Sequence, residues 1–577
     1  MRETLRWPVP AIFAVVAGTS ILAAELTNYN LSGNGQQVFS TLASIQAAVF
    51  AIVFSVVILG IQLSTSRYST RLADLFRTDR AYKKTVGIFA ASLAADIIGL
   101  LAFTHVSPST LRLLTSVALG LAAASFAVLY FFVDHTLEQT TPEGIIKRVQ
   151  QDLTPNQIIS DAEAADTDSS ETDPFLVPVS IVRSAIDDRD VPAATQGLDV
   201  IDNQVEELLK QISTDQVAED TPLGISLEEL STNRLPSAGE KTVNEDLGEA
   251  GSETVDTISS IGSNAVEQSH EPVATHTSQG LGKLVSNVDF ETTGENVRKD
   301  AVDESGKMLQ EAAEAELWDT AGTGTRILGW RAAQSVVSRG PTERFGRPYI
   351  SLSLKYIPNI LENVIEGDPD NIDEEKIVVG LTVRNGEHAA PPGEWALWSC
   401  YAAMAEITSS FIRYEIQHDE KIVDWMSVGS GWTKCISTLN ESKFDQVLRY
   451  WLGTLLYLDY IESELDNQYL ESFRPTARYD VPEDVLDQTF EEILNGDFDP
   501  TSRIDLLPGR VNPVEFPRTG HPRPPVSEPS RSFKEWCKIQ KGIGRVSGGW
   551  DEDVIEKIDE EKDISQDSGD NKDTDSE

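Results

Sequence analysis

Cysteine is scarce in this chain: Cys400, Cys435 and Cys537 are the three among 577 residues. Their wide spacing excludes a disulfide framework and a Cys-x-x-Cys metal site, so they read as buried thiols in a reducing compartment. No glycine-rich loop ends in Gly-Lys-Ser/Thr and no dinucleotide fingerprint follows a plausible strand, which removes the two commonest nucleotide-binding devices. Histidine is sparse as well. His105, His135, His270, His276, His388, His418 and His521 form no His-x-x-x-His or Glu-x-x-His cluster, so neither a metal nor a cofactor is expected. His270 and His276 are expected to be incidental surface residues of a mobile stretch. Positive charge is short too, with 47 Lys/Arg against 92 Asp/Glu and a net charge of −45. That imbalance repels nucleic acid, which is not an expected partner. No catalytic pair stands out among so many carboxylates, and a non-enzymatic protein is expected.

The acidity is unevenly placed. Residues 1 to 150 carry 11 Lys/Arg and 8 Asp/Glu, a charge of +3, and the remainder carries −48. Arg outnumbers Lys while Asp and Glu dominate, the balance of a salt-adapted, haloarchaeal surface, where concentrated KCl shortens the Debye length to a few ångströms. A mesophilic protein with acidic tails is the other reading of the same balance.

Against these absences stand four apolar runs of about bilayer-spanning length, Pro8 to Leu26, Phe39 to Leu63, Val86 to Val106 and Leu111 to Val133. Arg67, Arg71, Arg77, Arg80, Lys83 and Lys84 lie between the second and third, while the loops Thr27 to Val38 and Ser107 to Ser109 carry no basic residue. The positive-inside rule then places both termini in the cytoplasm and the chain in the plasma membrane as a multi-pass protein. Arg2, Arg6 and the small residues Ala23 and Ala24 also allow the first run to be read as a secretory signal.

Asp96 is the sharpest feature, near the middle of the third run with Ser92 and Gly99 on the same helical face. A carboxylate at that depth must be protonated, paired or open to water. The candidate intramembrane polar site is Asp96, Ser92, Ser55 and Gln62. Two roles stay open for it: ion or proton handling, or structural glue in which Asp96 bonds Ser55 or Gln62. Ser44, Ser55, Gln62, Ser66 and Ser69, with Ala48 and Ala51, form a stripe on the second helix that is expected to face other helices. Ser116, Gly120 and Ala124 repeat a small-xxx-small pattern suited to close helix packing.

The run Val53-Phe54-Ser55 to Gln62-Leu63, continuing through Ser66, Ser69, Arg71-Leu72, Phe76 and Asp79-Arg80 to Val86-Gly87-Ile88-Phe89, resembles a family of predicted prokaryotic membrane proteins catalogued as domain of unknown function 2254. The strong match covers about residues 45 to 100, with a fainter one around Ile181 to Leu208. Thr70 stands where the family pattern implies proline, and Asp96 where it implies an uncharged residue. The resemblance implies a membrane location and no assigned activity. Physically, Arg71, Arg77 and Arg80 beside Leu72, Leu75 and Phe76 make a basic amphipathic extension suited to lipid headgroups, with Tyr68 as an anchor.

The expected fold is all-α, a four-helix transmembrane domain (1–138) followed by a mainly helical cytoplasmic region. That region divides into a helical stalk and first helices (139–217), a mobile acidic Ser/Thr/Gly-rich insertion (218–295), a helical domain (296–500) and a Pro-rich, then acidic, disordered tail (501–577). Helical spacing is clear at Thr141 to Leu153, Pro192 to Ile212, Val302 to Thr320, Tyr349 to Ile365, Glu394 to Ile416, Phe444 to Leu465 and Pro482 to Leu494. This suggests a bundle or an irregular helical solenoid with no fixed sequence period. Trp395, Trp398, Trp425, Trp432 and Trp451 read as an aromatic core, with a ligand cage as the alternative, and Glu394 as a carboxylate favoured at the start of its helix. The lipid bilayer, a second copy of the chain and a cytoplasmic protein are the expected partners. Three functions are carried forward: a cytoplasmic domain that senses or binds a partner and biases an oligomeric ion conduit; a membrane-anchored scaffold; and a membrane-lipid enzyme.

Overall fold

The structure, a computed structural model, describes residues 35–67, 80–102, 105–140, 142–168, 173–288, 292–339, 347–367, 392–418, 425–442, 444–464, 481–497 and 532–543. Every regular element among them is helical. Contacts divide the chain into two units, Met1–Arg331 and Ala332–Glu577.

The first unit opens with three long apolar helices, α1 (Gly35–Arg67), α2 (Arg80–Ala102) and α3 (Pro108–Thr140). Each contains a stretch long and apolar enough to cross a membrane: Gln36–Ser55, Lys83–Ala102 and Ser109–Val133. The first expected span, Pro8 to Leu26, lies outside the described residues. The three helices pack pairwise around Phe89, Leu129 and Phe132, with Val49, Phe50 and Val53 against them. Aromatic contacts fix the register, Phe50 on Phe89 at 4.8 Å and Phe89 edge-on to Phe126 at 6.5 Å. On α3 Gly120 and Ala124 are buried and Ser116 half-buried, the close packing that small residues permit. The outer face is apolar, with Ile52, Leu101 and Leu113 exposed by 65%, 72% and 65%. A patch of that kind suits hydrocarbon as its solvent, where helices satisfy their own backbone.

Helix α3 continues into α4 (Pro142–Asp152), which packs on both α6 (Leu176–Asp187) and α7 (Val191–Leu209); α5 (Pro155–Asp168) lies between α4 and α6 in the chain. Next come a 3₁₀ turn (Thr214–Val217), α8 (Pro222–Glu229), a π turn (Leu230–Arg234), α9 (Leu235–Asn244), α10 (Gly248–Glu267), α11 (Glu271–Asn287), α12 (Thr292–Glu314) and α13 (Trp318–Arg339), the last lying across the division between the units. Proline near the N-termini of α7, α8, α9 and α11 is pre-shaped for a first turn.

These helices stack as a solenoid. Four turns, at Arg189, Asp246, Ser269 and Glu316, place a non-glycine residue at φ of 57° to 61°. In each, the next N–H returns to a carbonyl one turn inside the preceding helix: Asp190 to Ala185 at 2.8 Å, Leu247 to Thr242 at 2.8 Å, His270 to Ala265 at 2.7 Å and Leu317 to Ala312 at 2.9 Å. This is the Schellman closure, which satisfies end carbonyls and reverses the chain in about three residues. Parallel helices then lie side by side at a nearly constant sequence step. Ser252 donates to Asp300 at 2.7 Å and Ser263 to Glu311 at 2.8 Å between α10 and α12, 48 residues apart, and Thr275 meets Thr320 at 2.9 Å between α11 and α13, 45 apart. Buried hydroxyls recur at that step in Ser231, Ser278 and Thr325.

The segment 218–295 is therefore not a mobile insertion: its residues 222–287 form α8 to α11 and supply the centre of the solenoid. The composition that suggested mobility serves close packing. Thr254, Thr257, Ser259, Thr277 and Ser278 are buried, and Thr254 and Thr277 turn their hydroxyls back to Ala250 and Val273 carbonyls at 2.7 and 2.8 Å. His270 and His276 are buried too, against the expectation of surface residues. The His270 Nε2–H donates to the Leu209 carbonyl at 2.9 Å, tying α11 back to α7.

Carboxylates crowd one layer of this stack. Burial first, then Glu206 and Asp199, push Asp202 above the usual carboxylate range against a Ser260 hydrogen bond that lowers it; burial and neighbouring carboxylates do the same to Glu253 and Asp256. A carboxyl raised in the folded state binds protons there more readily than in the unfolded chain. Its stabilising contribution is present below the unfolded value and lost as pH rises through the folded one. His276 opposes this, because burial lowers it despite Glu228 and Glu219, and its contribution is lost as pH falls from its unfolded value of about 6.5. Acidification toward about pH 4, the unfolded range of Asp and Glu, should thus raise hydrogen-exchange protection in α10, and His276→Gln should enlarge the gain. Unchanged or falling protection in both proteins would contradict this balance.

The second unit holds α14 (Arg347–Gly367), α15 (Pro392–His418), α16 (Trp425–Glu441), α17 (Asp445–Glu464), α18 (Glu483–Asn495) and α19 (Phe533–Ile543). Trp432 and Trp451 are fully buried and meet edge-on at 5.4 Å, with Tyr401 on Trp451 at 5.4 Å, while Trp395 and Trp398 stack at 5.0 Å. Glu394 is buried rather than open at its helix start. Helix α18 starts after Pro482 and stops at Gly496 with φ of 85°, as the Pro and Asn-Gly signals predict. All three cysteines are buried, and burial pushes their thiols up, Cys537 to about 12.

The tail is not disordered throughout: α19 lies inside 501–577. Ser532 and Glu535 cap it reciprocally, and Phe533 and Trp536 pack on Tyr457 and Tyr460 at 5.2 to 6.1 Å. Phe533, Trp536 and Cys537 make one apolar face in an otherwise charged helix, enough to dock it. The Pro-rich stretch from Pro508 to Pro529 and the acidic end from Asp551 lie outside the described residues.

Candidate functional site

Asp96 and Ser92 sit one helical turn apart on α2, both fully buried in the membrane bundle. The partner of Asp96 is Gln46 on α1, also fully buried, whose Nε2 donates to Asp96 Oδ2 at 2.9 Å. Two contacts hold this register: Phe50 against Phe89 on one side, and on the other Gly99, where a Cβ would lie 2.3 Å from the Phe39 ring. Only glycine lets Phe39 approach so closely, and the antiparallel pairing of 50 with 89 and 39 with 99 puts 96 within about one helical turn of the level of 46, a gap that the long Gln46 side chain spans.

Neither expected partner of Asp96 is there. Ser55 is exposed and donates to its own Ala51 carbonyl at 2.7 Å; Gln62 is exposed as well. Ser55 lies nine residues beyond Gln46 along α1, roughly 13 Å at 1.5 Å per residue, and Gln62 roughly 24 Å. The expected inward stripe is likewise overturned: Ser44, Ala48, Ala51, Ser55 and Gln62 are exposed, while Phe39, Gln46, Val49, Phe50 and Val53 face the other helices. Large side chains fill the gap between α1 and its neighbours, and Ser44 satisfies its hydroxyl on the Ser40 carbonyl at 2.7 Å without a second helix. Of the juxtamembrane motif, Ser66 lies in the last turn of α1 and Arg80 opens α2; Ser69, Arg71, Phe76 and Asp79 lie outside the described residues.

Three oxygens in this cluster have no hydrogen-bond partner among the described residues: Gln46 Oε1, Ser92 Oγ and Asp96 Oδ1. Each such buried group costs about 1–3 kcal/mol, and nearby Thr115 and Ser125 avoid that cost by donating to carbonyls of their own helix. Among the described residues no group of three His, Cys, Asp or Glu side chains could hold a metal ion. The chemistry available is that of one carboxyl, one amide and one hydroxyl converging between two candidate membrane spans.

The comparisons with known proteins bear on this domain. Residues 4–197 match the model of the family described as Predicted membrane protein (DUF2254). The resemblance carried by the run from Val53 to Phe89 is thus borne out, and the match reaches through α1 to α6 and into α7. The DUF2254 match ends before α8, so most of the solenoid and the second unit lie beyond it. No curated protein and no solved structure matches the chain. Gln46 was the residue missed from sequence; its signal was an amide alone in the middle of an apolar span.

Proposed function

We propose that this is a multi-pass plasma-membrane protein with both termini in the cytoplasm, without enzymatic activity, in which a helical cytoplasmic region binds a partner and biases an ion-handling membrane domain. The observation that carries the reading is the buried Gln46–Ser92–Asp96 cluster, whose oxygens lack donors at a depth where an unneeded polar group would be selected against. The packing of α3 on α4, and of α4 on α6 and α7, supports a mechanical route from the solenoid to the membrane helices. So few helices cannot enclose a pore alone, so conduction calls for a symmetric homo-oligomer. The six basic residues between Arg67 and Lys84 support the orientation.

A membrane-anchored scaffold is the second reading, supported by the solenoid, whose stacked helices offer extended surfaces to protein partners. The two separate in reconstituted liposomes. Ion handling predicts a flux that Asp96→Asn changes by about tenfold, the effect of 1.4 kcal/mol at the rate-setting step. A silent bilayer, together with partners retained on the solenoid, would favour the scaffold.

A further inference from the structure

We propose that Asp96 and Gln46 form a proton-binding pair, in which a proton on Asp96 Oδ1 is donated to Gln46 Oε1 while Gln46 Nε2 donates to Asp96 Oδ2. This deepens the ion-handling reading by naming the proton as the ion. The observed half is the 2.9 Å bond from Nε2 to Oδ2. The other two atoms of the same groups, Oε1 and Oδ1, are both buried acceptors without a donor. One proton satisfies both. A carboxylic acid facing a primary amide closes a ring of two parallel hydrogen bonds, each group giving one and taking one.

The balance is simple: the carboxylate takes H⁺ from hydronium, leaving water, and returns it to water on release. When the proton leaves, Ser92, one turn away on the same face and within side-chain reach of Asp96, is the hydroxyl placed to donate to Oδ1. The cluster thus has a donor for each state. Calcium or magnesium takes six or more oxygens, and this cluster offers four, one of which already accepts the Gln46 N–H.

The electrostatic surroundings leave the pair isolated. The α1 span Gln36–Ser55 holds no titratable residue. On α3 the span holds Arg112 and Tyr130; Tyr130 is exposed, and the Phe89–Phe126 register sets Arg112 roughly 10 Å along the axis from the level of Asp96. On α2 itself, Lys83 and Lys84 are exposed at the far end.

Infrared difference spectroscopy on the full chain in lipid vesicles tests this. The expected result is a protonated-carboxyl C=O band that moves in D₂O, vanishes in Asp96→Asn and changes frequency in Gln46→Leu. Asparagine can keep both bonds of the ring, its N–H replacing the O–H, so Asp96→Asn should fold with an unchanged thermal midpoint. Absence of any Asp96-dependent acid band across the accessible pH range would overturn the proposal, as would a band indifferent to D₂O or to Gln46→Leu. A band without liposome flux would leave the proton pair standing and remove conduction; flux that depends on Asp96 without a band would do the reverse.

Discussion

Replacing Trp432 with alanine should destabilise α15 to α17 by about 3–5 kcal/mol, the range for deleting a fully buried large aromatic side chain. Trp432 sits on α16 with none of its surface exposed, edge-on to Trp451 at 5.4 Å. Its indole N–H donates to Thr408 Oγ1 on α15 at 2.9 Å, in a place water does not reach. Alanine leaves a cavity between two helices and withdraws that donor, and the neighbouring Trp451, Tyr401 and Tyr450 are too tightly set to fill it. Hydrogen exchange in α15 and α16 should speed up by about two to three and a half orders of magnitude, at 1.4 kcal/mol per factor of ten. Trp432→Phe keeps most of the volume and should lose much less. A Trp432→Ala protein with native exchange rates would show that this aromatic centre is not what holds the second unit together.

Gly280→Val should cost the solenoid about 3 kcal/mol or more, at the upper end of overpacking effects. A Cβ at Gly280 would lie 2.0 Å from the Ser231 carbonyl oxygen and 3.0 Å from its carbon, and backbone atoms cannot rotate away. The contact has a local cause. Pro236 has no N–H and would collide with a carbonyl one turn back, so the helix widens into the π turn Leu230–Arg234, with the Leu235 N–H reaching Leu230 instead. The Ser231 carbonyl then faces α11, and only a residue without a side chain fits beneath it. Loss of protection should be concentrated in α8 to α11. Gly248→Ala is the matched control, since its Cβ would meet only Thr293 Cγ2 at 3.4 Å, and it should cost little. Equal effects from both changes would remove the close-approach argument.

Much of the helical content was legible because its signals are local. Pro192, the Pro482 to Gly496 stretch and the apolar spacing of α14, α15 and α17 announce helices whose ends agree with expectation within a few residues. The solenoid turns were not legible, because Arg189, Asp246, Ser269 and Glu316 occupy a left-handed backbone position that is usually read from glycine. Nor was the order of residues 222–287, since small hydroxyl and glycine residues carry the same composition in a mobile chain and in a close helix interface. At the site, Asp96 and Ser92 were found because one helix sets their common face.

Length and apolarity alone made α1, α2 and α3 candidates for crossing a membrane, since hydrocarbon acts on each segment whatever its neighbours are. Charge placement similarly separated the near-neutral start of the chain from the strongly acidic remainder. Only the tertiary structure decided that Gln46, not Ser55 or Gln62, meets Asp96, because the level at which two antiparallel helices match is set by Phe39 fitting over Gly99 and Phe50 against Phe89. Such a register is a property of two surfaces in contact, and neither helix encodes it without the other.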